Sequence, residues 1–579
     1  MKKKPADLKV VFLAANSSYS HTSLAAMYLR AFTADMGIDW TTVELVATED
    51  FHPALRRIAQ LKPDVLAATF YLFNRNAVLS VLRRYRLLDP ECRIVAGGPE
   101  FLGDNRDFLT REHCIDAAVR GEGERAFRQL LGCIAAAKPW HGIQGFCGMV
   151  NGKYVDNGLA EQPLDLDDIP SPYGVPTRKP FLQLETSRGC GNRCAFCTSG
   201  TSGGTRYFSI SRVQSDLKKI RKAGVRSVRI VDRTFNGNRR RCIELLRMFR
   251  QEFGDLAFHL EIDPALAGPE VLGEMAGEVG REVAHAGHGS DSSSPDLHLD
   301  VGMQSFNPAV LEASGRRGGA RAAIKGLEAL CGLRGVAVHA DLIAGLPGAT
   351  LRDTLNDLRR LVALRPAEIQ LELLKVLPGT RLQSQGARTG IVASPEPPYE
   401  VLRTGTMSDS EIYTSRMLCR LVDWFYEPKA LREAICRSSD SIPSFWRKLV
   451  TFCSPRFAAG AAPSLANRFR LLDEFLAAHP ARDGERHTTP DPRHLLRYAW
   501  MKHGLGSADN FCGARPWKEP VPADAVLVEG DATAEVCRMF IADIGRTYIF
   551  AYGRTDVERH AVAVWKMEST RKPGRPIHS

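Results

Sequence analysis

The feature that most constrains this chain is an alternation, run through twice, of short apolar segments with amphipathic helical ones. In its first pass the apolar segments are Lys9–Ala14, Thr42–Val46, Val65–Thr69, Arg93–Ala96 and Ala117–Arg120. Between the first two, Leu24, Met27, Tyr28, Ala31 and Phe32 fall on one helical stripe that Gly37 is expected to close. Strands alternating with helices predict an α/β domain with a parallel sheet covered on both faces. Ligands of such sheets bind beyond the carboxyl ends of the strands. Those ends fall at 16–22, 70–76, 97–100 and 121–124.

The second pass begins after a Pro- and Gly-containing connector, 139–178. Its strands are expected at Leu182–Glu185, Ser227–Val231, Phe258–Ile262, Leu297–Gly302, Val338–Ile343 and Ile369–Leu374, with helices such as Arg240–Phe253 and Leu351–Leu364 between them. Six β/α units predict a partial (β/α)6 barrel of the TIM type, with chemistry at the carboxyl ends of its strands. A His-, Gly- and Ser-rich stretch, 284–295, reads as a surface insertion, with His285 and His288 solvated rather than ligating. Beyond 386 the pattern loosens into helical pieces (413–425, 467–478) and short β-like runs (525–528, 547–551), a mixed, mostly helical accessory domain with a basic tail at 571–579. The expected layout is therefore 6–138, a connector 139–178, a barrel 179–385 and a C-terminal domain 386–579.

Composition narrows the class. A length of 579 residues allows three or four domains at about 150 residues each. No run approaches the roughly 18 apolar residues of a membrane span, and the basic start, Met1-Lys2-Lys3-Lys4-Pro5, leads into a strand pattern rather than a cleavable signal. A cytoplasmic protein is expected. The net charge of +11 is spread without blocks of like sign, so it argues for an anionic small ligand as well as it does for nucleic acid, which is not expected as a partner.

Of the 14 cysteines, most stand alone in apolar surroundings, as Cys133, Cys331 and Cys419 do, and read as small buried hydrophobes. Cys190, Cys194 and Cys197 are different. They form C-x3-C-x2-C directly after the first barrel strand. Three thiolates on one loop at a catalytic mouth suit a soft-metal centre. Iron–sulfur clusters usually take four cysteines, and the missing fourth leaves one iron open to another ligand. The alternatives are three core cysteines, or a zinc knot, although structural zinc takes four ligands and favours C-x2-C pairs.

At these residues the chain resembles the radical S-adenosylmethionine (SAM) enzymes. Phe196 before the last cysteine fits, and further segments agree in order: Asp232–Asn236, Phe258–Ile262, Asp300–Phe306 with its Gly302-Met-Gln304-Ser305, and Asp341–Gly348. The resemblance implies a [4Fe-4S] cluster on the three cysteines. It also implies SAM chelating the open iron, reductive cleavage of SAM to methionine and a 5′-deoxyadenosyl radical, and a reductant such as flavodoxin or ferredoxin. It makes Gly203, Gly204, Glu261, Gln304 and Ser305 SAM contacts; Arg206 reads equally as a partner of the SAM carboxylate and as a salt bridge.

The first domain resembles the Rossmann-like, flavodoxin-like cobalamin-binding domain that precedes many such barrels. The carriers are Tyr71 and Asn74, Gly97 and Gly98, and Gly121, Glu122 and Gly123, which the resemblance makes cobalamin contacts. The family's D-x-H-x-x-G motif is absent; its place is taken by Ser17–Leu24. There His21 reads as a lower cobalt ligand, or as a loop histidine beside a helix cap built on Ser20 and Thr22. The closest pattern is a subfamily with a Ser-Tyr-x-His-Thr loop, the segments Glu372–Thr380 and Pro397–Leu402, and a C-terminal domain of unknown function. Tyr399 in that segment reads as an active-site residue or as the packing of a turn.

The expected activity is methylation, rearrangement or cyclisation of a small-molecule or peptide substrate. Two other readings stand beside it. A tRNA methylthiotransferase would need a second three-cysteine set, for which Cys92, Cys114 and Cys133 are too far apart in sequence, and a non-enzymatic cobalamin or iron–sulfur carrier would not need the SAM segments. An auxiliary cluster from Cys419, Cys436, Cys453, Cys512 or Cys537 lacks close pairs.

Overall fold

The structure is a computed structural model. It describes residues 4–163, 165–201, 203–276, 297–316, 319–457, 462–480, 491–504, 510–530, 536, 538–544, 546–552 and 560–567. His285, His288, Cys537 and the 571–579 tail lie outside the described residues. The chain divides into two compact units, Met1–Thr354 with Glu372–Ile412, and Leu355–Leu371 with Tyr413–Ser579.

The first unit opens with β1 (Lys9–Asn16), α1 (Leu24–Phe32), β2 (Asp39–Val46), α2 (His52–Leu61), β3 (Val65–Thr69), α3 (Arg75–Leu88), β4 (Arg93–Gly97), α4 (Arg106–Arg111), β5 (Ala117–Val119) and α5 (Glu124–Ala135). The sheet order is β2-β1-β3-β4-β5, all parallel, the flavodoxin-like order expected of the first alternation. Period-2 alternation splits β1 between two cores. Val11, Leu13 and Ala15 pack with Ile58, Val78 and Leu82 of α2 and α3. Val10, Phe12 and Ala14 pack with Ala26, Phe127 and Leu131 of α1 and α5. Ser23 caps α1 through its Oγ, which accepts the Ala26 N–H. The cap is therefore not built on Ser20 and Thr22, and Gly37 (φ 70°) closes a following 3-10 turn rather than the helix itself.

Part of the expected connector is not a connector. β6 (Phe146–Val150) and β7 (Lys153–Asp156) form a hairpin that adds two antiparallel strands beside β5. Their alternation was hidden by a short, mixed composition that reads as loop, and β5, only three residues long, gains a cover for its edge.

The barrel follows. Its first part comprises β8 (Phe181–Leu184), a two-residue antiparallel pair β9 (Ser187–Arg188) and β10 (Arg206–Tyr207), α6 (Ile210–Lys222), β11 (Ser227–Ile230), α7 (Arg239–Glu252), β12 (Ala257–Ile262) and α8 (Pro269–Ala276). Then come β13 (Leu297–Gln304), α9 (Pro308–Ala313), α10 (Ala320–Cys331), β14 (Val336–Ala344), α11 (Leu351–Ala363) and β15 (Glu368–Leu373). Six strands form the sheet in the order β15-β14-β13-β12-β11-β8, and β8 to β14 pair in parallel. Ser209 and Asn238 cap α6 and α7 by accepting backbone N–H groups with their side chains.

In the second unit the helices Lys429–Ser441, Leu465–Ala478 and Pro492–Lys502 precede a five-stranded sheet. The thiols of Cys436, Cys453 and Cys512 are buried there, and burial pushes them up to about 11, 12 and 12. Buried thiols of that kind are packing groups.

Candidate active site

The site begins where β8 ends. Asp232, just past β11 and 2% exposed, accepts four hydrogen bonds. Thr186 N–H (2.7 Å) and Ser187 N–H (2.9 Å) reach one oxygen, and the two hydroxyls reach the other. Burial raises this carboxyl and the four donors oppose that rise. The chain is thereby fixed as it enters the cysteine loop. β9 and β10 then form a stem that closes residues 189–205 into a loop.

Within the loop several positions are tied down. Ala195 N–H donates to Ser314 O, and Leu382 N–H to Ala195 O, both at 2.8 Å. Asn192 Nδ2 donates to Asp263 at 2.8 Å, and its N–H points at Cys190 Sγ, 3.4 Å away. A Cβ on Gly200 would stand 2.6 Å from Cys194 O, so the loop can pass only with glycine there. Cys194 is buried, which pushes its thiol up to about 11 against the pull of the Arg316 charge. Cys190 and Cys197 are half-buried.

The three cysteines line a cavity of about 280 Å³ together with Glu261, Gln304, Arg316, Asp300 and Asp341. Gln304 adopts φ 69°, in the left-handed region that costs a non-glycine residue of order 1–3 kcal/mol. It sits at a register shift in β13 opposite β14, and its Oε1 has no partner. Arg316 Nη2 donates to Gly302 O (2.5 Å) and lies 3.5 Å from Asp263. Burial pushes Glu261 up to about 7, with Arg233 opposing. Asp341 is pushed up to about 9 by burial and by the charge of Asp300. Beside them Asp300, His339 and Asp341 bring ligand atoms within 4.8 Å of one another. The rings of His259 and His298 stack at 4.6 Å. Glu261, Gln304, Asp300, Asp341 and the three histidines come from alternate positions of β12, β13 and β14, whereas Arg316 stands between α9 and α10.

The structure thus brings together Cys190, Cys194, Cys197, Glu261 and Gln304. Gly203 (φ 74°) and Gly204 (φ 137°) turn the loop back towards β10 without lining the cavity. Ser305 is buried, and its Oγ accepts the Asn307 N–H (3.1 Å) to hold the turn into α9. Arg206 pairs with Glu122 and donates to Pro163 O. Arg316, Asp300, Asp341 and the histidines were missed as site residues. The signal that would have found the strand residues is polar alternation, as in His298-Leu-Asp300-Val-Gly302-Met-Gln304; Arg316, between α9 and α10, carries no such signal.

The loops of the first domain are built as follows. Asn74 is 1% exposed and fully used: its Oδ1 accepts the Tyr71 N–H (2.8 Å), and its Nδ2 donates to Ala15 O (2.9 Å) and Thr69 O (3.1 Å). It ties the ends of β1 and β3 together. Tyr71 stacks on the exposed Phe73. Gly97 ends β4, and its carbonyl accepts the Phe70 N–H. At Gly98 (φ 102°) a Cβ would lie 2.6 Å from Phe70 O, so the chain's own packing demands this glycine. Gly121 (φ 91°) and Gly123 flank Glu122 at the start of α5. His21 Nδ1 bonds Ser18 Oγ (2.8 Å), its ring meets Phe181 edge-on (5.0 Å), and burial lowers its pKa with help from Arg229 and Lys179. Tyr399 (φ 59°) is buried, its hydroxyl held by Glu100 and Arg75 beside these loops.

A three-cysteine loop at the mouth of a partial barrel, behind a 2-1-3-4-5 domain, is the layout that the resemblance to radical SAM enzymes with a cobalamin-binding domain predicts. The family models agree. B12 binding domain matches residues 10–131, Radical SAM superfamily 184–361, and Protein of unknown function (DUF4080) 388–505. The chain therefore carries a B12-binding domain ahead of a radical SAM domain, with a DUF4080 region behind it. The ligands these domain models name are B12 and SAM.

Among curated proteins the chain is 25% identical to the cobalamin-dependent radical SAM methyltransferase TokK of Streptomyces tokunonensis, over 69% of this chain and 60% of TokK. It is 27% identical to the 2-(S-pantetheinyl)-carbapenam-3-carboxylate methyltransferase of Streptantibioticus cattleyicolor, over 49% and 43%. An uncharacterized methyltransferase of Pyrococcus horikoshii is 28% identical over 36% and 48%. The chain thus spans 43% to 60% of the length of these relatives. Two solved structures share the fold. TsrM from Kitasatospora setae with cobalamin and [4Fe-4S] cluster bound has a TM-score of 0.53 at 17% identity, over 83% of this chain and all of TsrM. OxsB with aqua-cobalamin and SAM bound has 0.57 at 14%, over 86% and 84%. Among the described residues no helix is long and apolar enough to cross a membrane.

Proposed function

We propose that this chain is a cobalamin-dependent radical SAM methyltransferase acting on a carbon of a small molecule or peptide. The observation that carries it is the single cavity walled by Cys190, Cys194 and Cys197 on one side and by Glu261, Gln304 and Arg316 on another. The donor set fits: three thiols suit a soft iron centre. The unpartnered Gln304 Oε1 and the positive Arg316 suit a ligand carrying both hydroxyl or amino donors and a carboxylate. In this reading the three cysteines hold the cluster, while Glu261, Gln304 and Arg316 hold SAM. When bound, the cluster supplies the electron for SAM cleavage, and cobalamin supplies methyl-transfer chemistry.

The chain's own contribution is placement. Asp232 orients the entry to the cysteine loop, Arg316 supplies fixed positive charge, and the half-buried carboxyls keep the lumen polar for SAM and substrate. Methylation is favoured over rearrangement by the relatives, among which TokK and the carbapenam enzyme are methyltransferases and a hopanoid C-3 enzyme of Methylococcus capsulatus is a methylase. Methylthiotransfer is disfavoured: Cys92 and Cys114 are buried in the apolar core of the first domain, which pushes their thiols up to about 12 and 11.

The test is anaerobic preparation with iron, sulfide, hydroxocobalamin and a flavodoxin-type reductant. About four irons and one cobalt per chain are expected, with SAM cleavage in the wild type and none in Cys194→Ala. Iron-free wild-type protein, or full cleavage by Cys194→Ala, overturns the reading. Isotope-labelled methyl from SAM recovered in the product separates methylation from rearrangement.

A further inference from the structure

The stem that closes the cysteine loop is electrostatically odd. Arg188 and Arg206 stand directly opposite each other in the β9–β10 ladder. Like charges in that position repel, and a two-residue pair of strands is marginal even without repulsion. The stem is held by carboxylates from elsewhere. Glu122 bridges both arginines, one oxygen taking Arg188 Nη1 (3.1 Å) and the other Arg206 Nη2. Glu124 takes Arg188 Nη2 at 2.7 Å, and Glu185 takes Arg188 Nε at 2.9 Å. The Tyr28 ring lies 5.0 Å beneath the Arg188 guanidinium. The Arg188 side chain is 10% exposed, and those of Glu122 and Glu124 are 19% and 8% exposed. Of these partners, Glu122, Glu124 and Tyr28 belong to the first domain.

We propose that Glu122, seconded by Glu124, is a positioning residue for the cysteine loop: the first domain clamps the two arms of the stem together through Arg188 and Arg206. The Gly121–Glu124 loop is then part of the support of the iron–sulfur site, and Glu122 does not spend its carboxylate on cobalamin. This rests on the reading of Cys190, Cys194 and Cys197 as cluster ligands. Its consequence is that the two cofactor regions cannot be separated: the loop that starts α5 must be in place before the cysteine loop is closed.

The test uses the full chain without cobalamin or SAM, in two measurements. In cluster-free protein, amide hydrogen exchange over 187–207 should speed up in Glu122→Gln, while the amides of β1 and β3 stay as in the wild type. In protein reconstituted with iron and sulfide, a chelator should strip iron from Glu122→Gln about tenfold faster than from the wild type, since a buried pair loses one partner. Arg206→Gln added to Glu122→Gln removes the opposed charge and should recover part of the difference. Glu161→Gln, which breaks an exposed pair between a loop residue and Arg125 of α5, should change neither. Unchanged exchange over 187–207 in Glu122→Gln overturns the clamp. So does a double variant that loses iron faster than the single one. If wild-type protein takes up no iron, the cluster reading fails, while the exchange measurement still decides whether the clamp exists.

Discussion

The first sheet and the barrel sheet arise from the same kind of sequence, yet their interiors are opposites. In β1 every residue after the first is buried, as is most of β3. Helices cover both faces, so an apolar side chain is needed at every position. In β13 and β14 buried positions alternate with half-exposed ones. One face packs on helices while the other carries His298, Asp300 and Gln304, or His339 and Asp341. The first sheet can therefore meet a ligand only along its carboxyl edge. The barrel can meet one along its edge and also within its lumen. Charged side chains facing inward from three neighbouring strands are tolerable only where water or a ligand satisfies them.

The largest effect should separate packing from lumen. Phe12 is 1% exposed and stacks on Trp40 at 5.9 Å. Phe12→Ala should cost the first domain about 3–5 kcal/mol, read by native-state hydrogen exchange of β1 and β3. His259, whose side chain is 24% exposed on the lumen face, should cost under about 1 kcal/mol as His259→Ala. Equal losses would mean that the lumen is packed core and would break the comparison.

Next in size is Asp232→Ala. It leaves four buried donors of Thr186 and Ser187 without their acceptor, and a loss of about 2–3 kcal/mol is expected. The change should also loosen the cysteine loop, so iron retention should fall with stability. Retained iron at reduced stability would show that Asp232 supports the barrel without orienting the loop.

What the sequence disclosed follows from how local each signal is. All eleven expected strands exist, because runs such as Val65–Thr69 carry their own period and their own stops. The cysteine loop was legible because its spacing is contiguous. The hairpin at 146–156 was not, because its two strands are short and of mixed composition; β6 pairs with β5 and β7 with β6. Glycine at 98 was legible, but its cause was not: it is required by the backbone of Phe70, which no sequence pattern ties to it. The carboxylate of Glu122 stood in a loop with the look of a cofactor contact, and its arginine partners lie 66 and 84 residues away. Asn74 likewise looked like a contact residue, although its Nδ2 staples β1 to β3 and its Oδ1 holds the Tyr71 N–H. Contacts made across that much chain are set by the packed fold and not by neighbouring residues.

The smallest expected effect compares how the two regions answer pH. Glu261 and Asp341 in the lumen hold protons up to about 7 and about 9, whereas in the unfolded chain they release them near pH 4. Between those values the folded state binds more protons than the unfolded one, so their contribution to stability falls as pH rises through that window. Asp156 in the first domain behaves in the opposite way. Burial opposes its charge, but hydrogen bonds from Arg120 and the Gly158 N–H hold it below its usual range. Its contribution is present above about pH 4 and lost only below it. In ligand-free protein Asp341→Asn should therefore raise the melting temperature at about pH 8 by a few degrees and do little at about pH 5. Asp156→Asn should lower it at both. A lowered melting temperature for Asp341→Asn at the higher pH would mean that the Asp300–Asp341 pair stabilises the empty lumen. The contrast between a self-sufficient sheet and one that awaits its ligand would then fail at the residues that define it.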